Sequence, residues 1–358
     1  MHVHILGGFL GSGKTTAINQ ACHLLQSAGK RVGVITNDQG TQLVDTAFIS
    51  HNGIATKEVT GSCFCCNFEA FEKNIAQLEE RLQVDIIFAE SVGSCTDLVS
   101  TILNPLSIYH RELKVTLSVF ADAAMLPVLI GQSKLFKDSV NYIYKKQLEE
   151  ADIIVVNKID LLSEDRLVEL QRLVEDKFPH KKIIYQNSLD EKSILHWLDQ
   201  IGEFNYTVER TSLNIDYDIY GEGEAALTWL DYLLIIQSDN NAHKACELLI
   251  KQLCKRINDY ALPIGHLKFL IKGKDRVRKI SFTALPSQEN EQQIDDDWQE
   301  NRIEMLINAR IQCDPIVLKT IVNDALSTTE TETKAHIELK TTDVFLPGYP
   351  RPTHRIIT

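Results

Sequence analysis

Six short runs of mostly apolar, often β-branched residues punctuate the first two hundred positions: His2–Leu6, Val32–Thr36, Asp85–Ala89, Lys114–Phe120, Asp152–Val156 and Lys182–Gln186. Such runs predict strands buried on both faces of a parallel sheet, because a strand with one wet face would alternate apolar and polar residues. Between them, Lys14–Ser27, Phe68–Leu82, Phe136–Glu149 and Glu164–Phe178 carry apolar residues at helical spacing, the last with Ser163 placed as an N-cap. Strand and helix in alternation predict an α/β, doubly wound, mainly parallel sheet over residues 1–204. Ligands of such sheets bind beyond the carboxyl ends of the strands.

After Gly202 the pattern changes, and a polar Gly- and Glu-containing stretch at Tyr220–Glu224 reads as the boundary before a second domain, residues 205–358. Its predicted order is strand Leu227–Gln237, helix Ala242–Tyr260, strands Gly265–Lys272, Arg276–Ala284 and Arg302–Gln312, helix Pro315–Leu326 and strand Ala335–Phe345. That is a ferredoxin-like α+β layout with one added hairpin strand. Pro286–Glu300, with six carboxylates and no base, is expected to be a solvated loop. The basic hairpin before it, from Lys268 to Lys279, reads as a solvated face. Leu346–Thr358, containing PGYPRPTHR, is expected to be extended along the surface, since its prolines cannot donate to a ladder.

Length and composition refine this picture. A chain of 358 residues with 44% hydrophobic content can build two cores. Its net charge of −12 disfavours general binding to nucleic acid or an anionic membrane. No apolar stretch reaches the length of a span, and residues 2–6 run directly into a glycine-rich loop, so a cytoplasmic protein without a signal peptide is expected.

That loop, GGFLGSGKTT, fits Gly-x-x-x-x-Gly-Lys-Thr from Gly8 to Thr15. Gly8, Gly11, Ser12 and Gly13 let backbone N–H groups wrap a nucleotide's phosphates at a helix N-terminus. Lys14 is placed to reach the β- and γ-phosphates and the Thr15 hydroxyl to ligate Mg²⁺.

Asn157-Lys158-Ile159-Asp160 stands just after a strand and matches the guanine-reading pattern Asn-Lys-x-Asp. A carboxylate only accepts hydrogen bonds, so Asp160 suits guanine's N1–H and 2-amino group and would be left unsatisfied by adenine. At another strand tip, Glu90-Ser91-Val92-Gly93 puts an acid where it can hold Mg²⁺ and a glycine N–H where it can sense the γ-phosphate. Asn37-Asp38-Gln39-Gly40, with Asp45 beyond it, falls on the segment expected to be a switch loop; Asp38 and Asp45 are the candidates to position water.

Three of the eight cysteines, Cys63, Cys65 and Cys66, lie within four residues. A Cys-x-Cys-Cys run brings three soft sulfurs to one ion, with no second Cys pair to close a structural site. An exchangeable Zn²⁺ or other thiophilic divalent ion fits, completed by Asp38 or water; buried inert cysteines or a redox pair are the alternatives. Cys95 is a fourth sulfur only if its loop meets the triad.

In this order, the phosphate loop, Cys-x-Cys-Cys, Glu-x-x-Gly and Asn-Lys-x-Asp resemble the CobW-type metallochaperone GTPases, relatives of HypB and UreG, over residues 1 to about 202. The resemblance implies that Lys14, Thr15 and Thr16 contact phosphate and Mg²⁺, and that Cys63, Cys65 and Cys66 bind zinc or a similar ion. It further implies that Glu90 and Gly93 sense the γ-phosphate and that Asn157, Lys158 and Asp160 contact guanine. The family's switch usually reads Asn-Glu-Phe-Gly-Glu, so here Asp38 is one carbon shorter and Thr41 loses an acid. The eleven histidines form no metal-loading run.

These features together predict a GTPase, cycling between GTP and GDP with Mg²⁺, that gates delivery of a transition metal to a metalloprotein or corrinoid-dependent client. The alternatives are a GTP-regulated metal-storing protein with little turnover, and a partner-assembly GTPase with structural cysteines. A homodimer with two nucleotides facing each other is left open.

Overall fold

Strand β1 (His2–Gly8) is the centre of a seven-stranded, wholly parallel sheet. In the computed structural model, which describes residues 1–40, 44–131, 135–204, 210–239, 241–284 and 298–358, the other strands are β2 (Val32–Asn37), β3 (Ala55–Val59), β4 (Ile86–Glu90), β5 (Lys114–Asp122), β6 (Ile153–Asn157) and β7 (Lys182–Gln186). Their order is β3-β2-β4-β1-β5-β6-β7. The direction of winding reverses at β1, so the loop after β1 opens at the switch point where such sheets bind ligands. Buried strand residues such as Val3, Ile5, Val34, Phe88, Leu117 and Val155 explain why these strands read as continuous apolar runs.

Two compact units divide the chain. The first comprises Met1–Gln39, Asp45–Gly223 and Tyr349–Thr358; the second, Gly40–Val44 and Glu224–Gly348. The boundary expected at 204/205 abuts residues 205–209, which lie outside the described residues. The units divide between Gly223 and Glu224, within the Tyr220–Glu224 stretch, which is part of a helix, Tyr217–Ala225. Tyr220 is buried there against Ile143 and Ile215, an anchor that a count of polar residues overlooks.

Helices Lys14–Ser27 and Phe68–Leu82 form as expected. Ser163 sits at the N-cap of Glu164–Lys177 but makes no capping bond with its side chain. Helix Glu191–Glu203, capped by Asp190 on the Ser193 N–H, was not foreseen; it buries Trp197, whose indole donates to Ser118 Oγ at 3.1 Å.

The second unit is an antiparallel sheet of β8 (Thr228–Gln237), β9 (Ile264–Lys272), β10 (Val277–Ala284), β11 (Arg302–Ile311) and β12 (His336–Phe345), ordered β10-β9-β11-β8-β12. Helices Ala242–Asp259 and Pro315–Thr333 pack on it around Leu249, Phe269, Met305 and Ile321. Residues 286–297 of the expected acidic loop lie outside the described residues, while Trp298 is buried against His243.

Candidate nucleotide and metal site

Beyond the carboxyl end of β1 the backbone turns through Gly8 (φ 118°), Gly11 (φ 72°) and Gly13 (φ 93°). Left-handed angles like these favour glycine. At Gly13 the space is also closed, since a Cβ would lie 2.3 Å from Asn157 Nδ2. The turn delivers the chain into helix Lys14–Ser27, and the first N–H groups of a helix have no partner within it. Ser12 braces the turn, its hydroxyl donating to Phe9 O at 2.8 Å. Lys14 is buried, with Nζ donating to Gly8 O (2.6 Å) and Phe9 O (3.1 Å). Thr16, next on the helix, is half-buried.

The sheet brings the expected magnesium residues together: Thr15 donates through Oγ1 to Glu90 Oε1 at 3.0 Å, although 75 residues separate them. Both are buried. The segment after Glu90 packs on the phosphate loop, where a Cβ on Gly93 would come within 2.6 Å of Leu10 Cδ2. Gly93 O in turn accepts from Gln147 Nε2 at 3.0 Å.

At the tip of β6, Asn157 Nδ2 donates to Ser12 O (2.9 Å), while its Oδ1 accepts from the Ser188 N–H (3.1 Å) and hydroxyl (2.8 Å). Asn157 is thus a tie between the phosphate loop and the loop after β7. Lys158 pairs with Asp122 Oδ2 at 2.8 Å. Asp160 is exposed. Asp122 and Ser188 were missed in the sequence, yet both follow the rule that strand tips carry function: one ends β5 and the other lies just past β7.

The cysteine loop hangs from β2. Asn37 Nδ2 donates to Val59 O (2.9 Å) and Ser62 O (2.7 Å), and its Oδ1 accepts the Phe64 N–H at 2.7 Å. Three bonds from one side chain fix the loop's position. Thr36, just before Asn37, lies opposite Glu90 in the β2–β4 register, so the loop is anchored one residue from the strand pair that carries Glu90.

Within the loop the Sγ atoms of Cys63, Cys65 and Cys66 lie within 4.8 Å of one another, a donor set suited to a thiophilic divalent ion. Cys63 and Cys65 are buried and Cys66 is half-buried. Cys95 is buried beside Cys65 but is not among the three sulfurs that converge. Hydrogen bonding to Cys63, then to Cys66 and Cys95, holds the Cys65 thiol well above its ordinary pKa, and burial adds to this. Cys66 is pushed up to about 11, chiefly by its bond with Cys63. Asp38 does not join this group; its Oδ1 accepts the Gln39 N–H at 2.9 Å. Asp45 lies in the first turn of helix Val44–His51.

Residues 351–355 complete the surroundings of the loop, and nothing in their sequence signals this. The Arg351 N–H donates to Cys66 Sγ at 3.3 Å, and the Thr353 N–H to Cys65 O at 2.7 Å.

The family model for the CobW/HypB/UreG nucleotide-binding domain matches residues 2–185. Among curated relatives, the zinc chaperone YeiR of Escherichia coli K12 is 27% identical over 187 residues, covering 51% of this chain and 54% of the relative. The zinc-regulated GTPase metalloprotein activator 1 of Dictyostelium discoideum is 25% identical over 219 residues, covering 51% and 45%. The E. coli zinc chaperone YjiA is 28% identical over 171 residues, covering 45% and 50%. The chain thus spans about half the length of these relatives. Among the described residues, no helix is long and apolar enough to cross a membrane.

Proposed function

The chain belongs to the CobW/HypB/UreG nucleotide-binding family, and from that premise we propose that it is a cytoplasmic GTPase that holds a transition metal, zinc by preference, on Cys63, Cys65 and Cys66. Its nucleotide state sets how tightly the metal is held, and so when it passes to a metalloprotein or corrinoid-dependent client. The observation that carries this reading is the Asn37 tether, which hangs the thiol loop on the strand beside Glu90. The names of the relatives, two of them zinc chaperones and one a zinc-regulated GTPase, support the choice of metal.

The residues divide the work. The loop from Gly8 to Thr16 cradles the phosphates, and the Lys14 ammonium faces the charge that grows on the transferring γ-phosphoryl group. Thr15 and Glu90 would hold Mg²⁺, which would supply positive charge against that of the phosphates. Gly93 senses the γ-phosphate and Asp160 selects guanine, while Asn157 and Lys158 hold the base loop in place. Asp38 or Asp45 positions the attacking water.

Metal analysis of protein purified under reducing conditions tests the assignment. One zinc per chain, lost in Cys65→Ser, is expected; a chain that takes up no divalent metal would remove the reading.

A further inference from the structure

Resting on the reading that the three thiols hold metal, we propose that Tyr349–Thr358 is a strap belonging to the metal site, which positions Cys66 and limits the rate at which metal leaves. Its contacts are dense for ten residues and concentrate on the two loops that frame the sulfurs. On the cysteine loop, the Arg351 N–H reaches Cys66 Sγ (3.3 Å), the Thr353 N–H reaches Cys65 O (2.7 Å) and the Thr353 hydroxyl reaches Cys66 O (3.2 Å). The His354 ring packs edge-on against Phe68, at the start of the following helix, with centroids 5.1 Å apart. On the loop that carries Cys95, Arg355 Nε pairs with buried Asp97 Oδ2 at 2.7 Å, and the Ile356 N–H donates to Ser100 O at 2.8 Å.

The strap therefore bridges the cysteine loop and the segment that follows Glu90 and Gly93. It also lies against Cys66, the most exposed sulfur of the triad. A thiolate with an N–H donor is a better-held ligand, and hydrogen bonds of this outer kind commonly change metal affinity by about 10–100-fold. Composition makes the strap cheap to order: Pro350 and Pro352 flank Arg351, and a residue before proline is confined to extended backbone. Such a segment loses little entropy on docking. Its anchor is electrostatic, because Asp97 is a buried carboxylate whose Oδ2 takes both the Arg355 guanidinium and the Tyr217 hydroxyl (2.7 Å).

The test uses the full chain and three variants. Arg351→Pro removes the N–H that donates to Cys66 Sγ, at a position flanked by Pro350 and Pro352. Arg355→Ala cuts the anchor, and Arg355→Lys keeps its charge. Zinc transfer to a chromogenic chelator should be about tenfold faster in Arg351→Pro and Arg355→Ala, with partial recovery in Arg355→Lys. In metal-free protein, nucleotide affinity should be unchanged in all three, since none touches the phosphate loop. In metal-free, reduced protein, alkylation of Cys66 should likewise quicken in Arg355→Ala, and this arm is informative even if the wild type holds no zinc. Equal rates of zinc release and of alkylation across wild type and variants would overturn the strap, whereas a wild type without zinc would overturn only the metal assignment.

Discussion

Thr15 Oγ1 lies 3.0 Å from Glu90 Oε1, a hydrogen bond that joins the phosphate loop of β1 to the tip of the neighbouring strand β4. Both would hold Mg²⁺ through oxygen, Thr15 by a lone pair of its hydroxyl and Glu90 by its carboxylate, so each residue should matter most in the presence of the metal. Glu90→Gln should lower GTP turnover by about 10²–10³, the usual effect of removing one electrostatic group. Its affinity for GDP without Mg²⁺ should barely change. Thr15→Ala should show a milder loss that raised Mg²⁺ partly restores. Turnover measured across a magnesium titration checks both.

Asn157 and Asp160 should separate cleanly although they share one motif. Asn157 holds Ser12 O and Ser188, so Asn157→Ala should weaken GTP and ATP alike and lower stability by about 1–3 kcal/mol through buried groups left unpaired. Asp160 is exposed, and in the proposed function it accepts hydrogen bonds from the base. Wild type should prefer GTP over ATP at least about a hundredfold, near 3 kcal/mol, and Asp160→Asn should erode that preference without loss of melting temperature. Direct titration of both nucleotides distinguishes the two effects.

Asn37 carries the thiol loop on three hydrogen bonds. Asn37→Ala should reduce zinc affinity about tenfold or more. Asn37→Asp keeps an acceptor for the Phe64 N–H but sets a buried carboxylate oxygen against Val59 O and Ser62 O, so it should do at least as badly as alanine. Competition for zinc against a calibrated chelator provides the ranking.

Glu150 supplies a pH signature unrelated to metal. Burial pushes its carboxyl up from 4.5 to about 8, while Thr96 Oγ1 and the Val99 N–H donate to its two oxygens. An acid raised in the folded state keeps its proton longer there than in the unfolded chain. Stability is therefore lost as pH climbs from about 4.5 towards about 8. Glu150→Gln should cost about 1 kcal/mol at pH 5, because its NH₂ cannot accept from Val99. The difference should narrow or reverse by pH 8, as melting curves across that range would show.

Much of this fold is legible in the sequence because the strands are buried on both faces and the helices are amphipathic; helix Lys14–Ser27 and strand β7 are found at their predicted bounds. Strand β3, with the sequence ATKEV, escapes because it lies at the sheet edge and is mostly only half-buried. Helix Tyr217–Ala225 escapes because Gly221 and Gly223 mimic a linker while Tyr220 carries the burial. In the site, motifs reveal which residues bear chemistry but not what holds them. The Asn37 tether, the approach of Cys95 to Cys65 and the contacts of Arg351 and Thr353 all join positions distant in the chain, and no local pattern encodes them.

The central claim is that nucleotide state and thiol-bound metal are coupled through the segment between β2 and Glu90. Zinc affinity measured on one preparation, with GDP and with a non-hydrolysable GTP analogue, tests it most directly. The account predicts a difference of about 1–3 kcal/mol, roughly five- to 150-fold, mirrored by an equal change in nucleotide affinity when zinc is bound. Identical zinc affinities in the two states would contradict it.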